Sequence, residues 1–419
     1  MDRNWNNGTK DIRLVARGVN RMPFGKFLYL LVPWLIILAI GMYAIFLCLA
    51  KGLNQTNMDN RFAFGVWIFL DLSIIALGAG AFFTGFLVYI LKREELRAVL
   101  NSAVVIGFIC YSGAILVLMV DVGQPLRAWF TFWHPNIHSM LTEVTFCITC
   151  YLVVLSVEYA PIVLRNKKLK EVPAFLGMQY ELHRIMPVLA GVGTFLSFFH
   201  QGSLGGLFGV LQGHPFAFRE GLAIWPTTFF LFIISAAAAG PSFILLTTWI
   251  ASRVSRKRLV SDNVFALLAR ISGSLLVVYV MLKSIDTLTW LNRTVPSLGL
   301  SGIGFFLWAP FNIWILFAEI IVFGLVPSLF LLFGSGRLRT GWLVASSVMV
   351  CCGIVLNRFV MTIQTLSLPT MSFDRFMIYT PSWQEIAAFL FVVAYGVIIY
   401  SLSFRYLRLF PQEIEMKVN

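Results

Sequence analysis

Ten apolar runs, each long enough to cross a lipid bilayer, constrain this chain more than any other feature. They cover roughly 27–50, 64–91, 98–120, 138–164, 184–204, 223–251, 263–291, 304–333, 342–366 and 383–407. Crossing ~30 Å of hydrocarbon takes ~20 helical residues. Because no water is present to satisfy exposed amides, only helices and closed barrels can span. A barrel would show short alternating segments, and these runs are long and unbroken. The expected fold is an all-α polytopic membrane protein with ten transmembrane helices. With 59% hydrophobic and 12% charged residues and a mean hydropathy of +0.83, nothing reads as a separate soluble domain. The first 26 residues are polar and basic and the first run outlasts a signal core, so no cleavable signal is expected.

Orientation follows from Lys and Arg in the connections. Counting the alternate sides, twenty-two basic residues fall with the termini and six on the other face. Both termini are therefore expected in the cytoplasm of a bacterial inner membrane. The net charge of +13 mostly records this asymmetry, and no basic cluster interleaved with aromatics suggests nucleic acid. The outer loops are richer in aromatics than in charge. Residues 121–138 carry Trp129, Phe130, Phe132 and Trp133, while 213–225 carry Phe216, Phe218 and Trp225. Part of this is the aromatic belt at the headgroups, and part suits docking of another subunit.

Ionisable residues within the runs are costly and tend to mark pathways. His200 and Gln201 close the fifth run, in FLSFFHQGSLGGLF, which then breaks into glycines. By helical rise Asp71 lies ~10 Å, Glu143 ~7 Å and His200 ~6 Å below the outer helix ends, with Asp121 at the end of the third run. Four neighbouring helices thus offer acid–base groups in one shell near the outer surface, which suits chemistry that moves protons together with electrons. The second half holds Arg270, Lys283, Asp286, Glu319, Asn357 and Arg358. Lys283 and Asp286 share a helix face and can pair. These charges read as interhelical ties, or as a proton path through Glu319 and Arg358, with Glu158 extending a similar route in the first half.

A faint repeat organises the runs. ALGAGAFFTGFL in the second and SAAAAGPSFILL in the sixth both place small residues in mid-membrane. Small residues allow close helix approach. Each run is expected to open a four-helix bundle: helices 2–5 over 64–204, and helices 6–9 over 223–366, flanked by helices 1 and 10 in one integral membrane domain.

Subtraction limits the cofactors. His183 and His200 are ~25 Å apart along one helix, too far to ligate one haem. The cysteines of CITC at 147–150 lack a second pair, so neither zinc nor an iron–sulfur cluster is implied. No Walker motif, nucleophile elbow or dinucleotide fingerprint is present, so the chain has no complete active site of its own. Electrons must come from, or go to, a partner.

SMLTEVTFCITCYLVVLSVEYAP at 139–161, preceded by QPLRAW and WHPNIHS and followed by LSFFHQGSLGGLFG at 196–209, resembles the NrfD/PsrC-type membrane subunits of quinone-linked redox complexes. Ten spans resemble the branch that includes hydrogenase anchors, sulfite-linked subunits and menaquinone reductase subunits. The resemblance implies menaquinone bound near the outer face, beneath a periplasmic ferredoxin-like iron–sulfur subunit, with no prosthetic group in this chain. A molybdopterin-type or hydrogenase-type subunit, or a multihaem cytochrome c, would complete the complex. It places quinone contacts on His200 and Glu143, with Asp71 and Asp121 as neighbours. Gln201, Ser203, Gly205 and Trp225 are the further candidate contacts. The competing class is a secondary transporter with a central site near Glu319 and Arg358, acting without redox partners.

Overall fold

A computed structural model describes residues 21–122, 124–166, 173–209, 221–222, 225–297, 299, 301–308, 312–334, 340–367, 377–411 and 414–415. Ten helices among them have membrane-spanning length and apolarity: α1 (Phe24–Lys51), α2 (Val66–Ile90), α3 (Glu94–Asp121), α4 (Met140–Leu164), α5 (Arg184–Gly209), α6 (Thr227–Ser255), α7 (Asp262–Ser297), α8 (Ile313–Gly334), α9 (Thr340–Ser367) and α10 (Trp383–Tyr406). Long aliphatic runs set these helices, since an amide in hydrocarbon has no partner except its own helix.

Contacts fall into two rings and a flank. α2 packs on α3, α3 on α4, α4 on α5, and α5 returns to α2. α6, α7, α8 and α9 close in the same way, while α1 lies along α10 and α10 leans on α3. The rings meet where α5 packs along α6 and where α2 crosses α6. A Cβ on Gly80 would stand 2.7 Å from the Gly240 carbonyl oxygen, so two backbones touch at that crossing. Only glycine permits this.

Loops and tails sort to two faces. At one, the Arg21 side chain donates to the Arg405 carbonyl (3.4 Å), Asn101 to that of Arg408 (3.3 Å) and Asn166 to that of Tyr406 (3.1 Å). Lys257–Arg258 there pairs antiparallel with Ile414–Glu415. The end of α10 and the segment after it thereby gather the basic loops onto the face of the termini. At the opposite face, the Asn57 amide donates to the Thr380 carbonyl at 2.8 Å, joining the loops before α2 and α10.

Several boundaries differ from the sequence expectation. α5 does not break at the glycines after His200 but stays helical to Gly209. Glycines persist in a membrane helix because no water competes for their amides. Here they give room to α6: a Cβ on Gly205 would stand 2.8 Å from the Phe232 ring. α7 runs past 291 to Ser297 through a π turn at Trp290–Thr294. Further π turns occupy Phe86–Ile90, Ala318–Leu325 and Val360–Gln364.

Candidate functional site

α5 carries His200 into the interior of the first ring, where its side chain is fully buried. Neither imidazole nitrogen finds a hydrogen-bond partner among the described residues. The same holds for both amide atoms of Gln201 and for the Tyr151 hydroxyl. Tyr111 of α3 and Tyr151 of α4 face one another, ring centroids 4.0 Å apart, and Tyr111 lies 6.1 Å from the His200 ring. The Tyr111 hydroxyl reaches Ser197 Oγ at 3.5 Å, and Phe82 of α2 closes the group against Tyr151. Three helices therefore converge a phenol pair, an imidazole and a carboxamide in an apolar setting. An unpaired polar group there costs several kcal/mol, and this cluster has donors and acceptors to offer a polar ligand.

The carboxylates form a second, shallower tier. With α5 ending at Gly209, His200 stands ~14 Å below its helix end, against ~8 Å for Asp71 and ~5 Å for Glu143. α5 runs five residues past the end expected from sequence, so His200 lies further from its own helix end than Asp71 and Glu143 do from theirs. Asp71 is buried with Oδ1 unpaired among the described residues, and lies within electrostatic reach of Asp121 at the end of α3. Glu385 is the buried first-turn acid of α10. Glu143 is half-buried in the first turn of α4. No hydrogen bond or ion pair joins His200 to Asp71, Asp121 or Glu143 among the described residues.

Glu385 escaped the sequence reading. It accepts from the amides of Ser382 (2.8 Å) and Asn57 (3.2 Å) and from the Tyr379 hydroxyl, which pins two loops to the carboxylate tier. Its signal was present as Ser-Trp-Gln-Glu, a capping box at the start of the last run.

Two candidate contacts serve packing. The Ser203 hydroxyl returns to the Phe199 carbonyl at 2.8 Å, and the Gly205 carbonyl accepts from Thr228 of α6 at 2.7 Å. Trp225 pairs through its backbone with Leu222, and its side chain lies outside the described residues. His214, Phe216 and Phe218 also lie outside them.

The second ring holds a continuous ionic network. Lys283 of α7 meets Glu319 of α8 at 3.4 Å; Asn357 of α9 donates to Glu319 at 2.7 Å; Arg358 donates to Asn357 at 2.6 Å and to Ser235 of α6 at 3.0 Å. The Arg358 guanidinium also lies 3.6 Å over the Phe232 ring. All four helices of the ring contribute. Asp286 is buried one turn beyond Lys283. Glu158 is buried in the inner part of α4, ~27 Å from the end that carries Glu143.

Residues 54–369 match the polysulphide reductase NrfD family. The chain belongs to the NrfD family. The match starts ahead of α2 and ends just past α9, so it spans both rings and leaves α1 and α10 outside. Over 418 residues, 99% of each chain, the protein is 45% identical to the menaquinone reductase integral membrane subunit of Nitratidesulfovibrio vulgaris. It is 28% identical over 175 residues to the probable Ni/Fe-hydrogenase 2 b-type cytochrome subunit of Escherichia coli, 41% of this chain and 43% of that one. It is also 23% identical over 229 residues to a selenate reductase subunit of Mesobacillus selenatarsenatis, 49% of this chain and 52% of that one. The relatives named are membrane subunits of redox assemblies, and Tyr111, Tyr151, His200 and Gln201 lie inside the matched stretch.

Proposed function

We propose that this protein is the quinone-interacting membrane subunit of a multi-subunit respiratory complex in the bacterial cytoplasmic membrane. Both termini are cytoplasmic, and the carboxylate tier faces the periplasm. There it exchanges electrons between menaquinone and a periplasmic ferredoxin-like iron–sulfur subunit, itself joined to a molybdopterin-type or hydrogenase-type subunit or a multihaem cytochrome c. The observation that carries this reading is the buried, unpaired set of His200, Gln201 and Tyr151, in a chain 45% identical to a menaquinone reductase subunit.

The donor set fits a quinone head group, whose two ring oxygens ask for hydrogen-bond donors in an apolar slot. Bound menaquinone supplies two-electron, two-proton chemistry. His200 offers an N–H to a ring oxygen and can hold or release the proton at the other nitrogen. Gln201 and the Tyr151 hydroxyl orient the ring, and Phe82 with the tyrosine pair excludes water. Asp71, Asp121 and Glu385 step toward the periplasmic face and carry protons between that face and His200, with Glu143 at the mouth. Leu126, Trp129, Trp133 and Ile137, all exposed at the same face, seat the iron–sulfur subunit. Glu158 in the first ring and Lys283, Asp286, Glu319 and Arg358 in the second extend proton movement inward.

His200→Ala in the assembled complex tests the assignment. Loss of a positioned acid–base group predicts a fall of ~10²–10⁴-fold in quinone-linked electron transfer, with every partner still bound. A wild-type rate in that variant overturns it. Isolation of the chain with no iron–sulfur or haem-bearing partner would instead favour a transporter.

A further inference from the structure

One large cavity in the described structure lies away from His200. It is a bore of about 830 Å³ between α1 and α10 on one side and α2, α3 and α6 on the other. None of His200, Gln201, Glu143, Asp71 and Asp121 lines it. Its length follows from α10, where the lining residues run from Phe389 to Arg405, about 24 Å along the helix. One leaflet of hydrocarbon is about half of ~30 Å, so the bore starts at one membrane face and passes the midplane.

The wall is almost wholly apolar, and its charge sits at one end. Arg21, Lys257 and Arg405 rim the mouth on the face of the termini, and no carboxylate is among the lining residues. Lys257 and Arg405 are buried, 7% and 4% exposed. Arg405 is held in place by donation to the Met22 carbonyl at 2.9 Å and by the Phe27 ring, 4.7 Å away. A cationic rim at headgroup depth above an extended hydrocarbon bore complements one kind of molecule: a phosphate anion esterified to long acyl chains.

We propose that this bore is an anionic-phospholipid site. The lipid phosphate sits at Arg21, Lys257 and Arg405, and an acyl chain fills the space along α10. The lipid then joins the flanking pair α1 and α10 to the two rings, where protein packing alone leaves a gap.

The test uses the full-length chain purified with its partner subunits in detergent. Native mass spectrometry reads bound phospholipid, before and after delipidation and add-back of phosphatidylglycerol or phosphatidylcholine. Retention of one anionic phospholipid per chain is expected, with phosphatidylglycerol preferred on add-back. One basic residue beside anionic lipid is worth about fivefold in binding, so Arg21→Gln and Lys257→Gln should each weaken phosphatidylglycerol binding about fivefold, and together about 25-fold. Val397→Trp should abolish retention by filling the bore. Circular dichroism and melting temperature establish that each variant is folded, and the two rim variants decide the matter alone if Val397→Trp is not. Equal binding of phosphatidylcholine, absence of bound phospholipid in the wild type, or recovery of an isoprenoid quinone whose retention is lost in Val397→Trp would each overturn the proposal.

Discussion

Arg358 is fully buried in a membrane helix and directs its donors to Asn357 and Ser235, with its face on Phe232. Such a cation persists only because Glu319 supplies the opposing charge through Asn357, while Lys283 shares the same carboxylate. Removing one member of a buried pair leaves the other desolvated and uncompensated, at about 3–5 kcal/mol. Glu319→Ala should therefore lower the thermal unfolding midpoint of the detergent-solubilised protein markedly, and Glu319→Gln, which keeps an acceptor for Asn357, by less. An unchanged midpoint in Glu319→Ala would show that the network carries little stability. Spacing alone points Lys283 at Asp286, one turn away on the same helix. Sequence exposes neighbours along a helix but not across one. For the same reason Tyr111 and Tyr151 read as ordinary aromatics until three helices bring them beside His200.

At the scale of elements, the crossing of α2 and α6 is a contact of backbone on backbone, glycine against glycine. Adding a Cβ at Gly80 meets the Gly240 backbone at 2.7–2.8 Å, whereas at Gly85, further along the same helix, it meets the Ala190 Cβ at an ordinary 3.5 Å. Gly80→Ala should destabilise by about 1–3 kcal/mol, the cost of overpacking. Gly85→Ala should be neutral or stabilising by up to ~1 kcal/mol, because alanine favours the helix. Detergent unfolding curves of the two single variants compare them directly, and equal behaviour would remove the crossing from the account. The small residues that make this contact are legible as a repeat in the sequence, as are all ten helices, because bilayer crossing enforces long apolar runs. The end of α5 is not, because glycine signals a stop in water and a close contact in lipid. The π turns leave no trace, since they alter hydrogen-bond register without altering composition.

The whole molecule depends on which way it faces, because the function proposed for the carboxylate tier requires that tier at the periplasm. Contacts of the end of α10 and the chain after it with Asn101, Asn166 and Lys257 hold the basic loops on one face as a unit. The loop containing Asn57 is tied to the opposite face beside Glu385. Retention of basic loops on the cytoplasmic side then decides the orientation for all ten helices together. Asn54 and Glu95 are exposed on opposite faces and report it. In a background with the native cysteines replaced, Asn54→Cys should react with a membrane-impermeant maleimide in intact spheroplasts, and Glu95→Cys only after permeabilisation. The reverse pattern would turn Asp71, Asp121 and Glu385 toward the cytoplasm and exclude a periplasmic iron–sulfur partner, whatever the chemistry at His200.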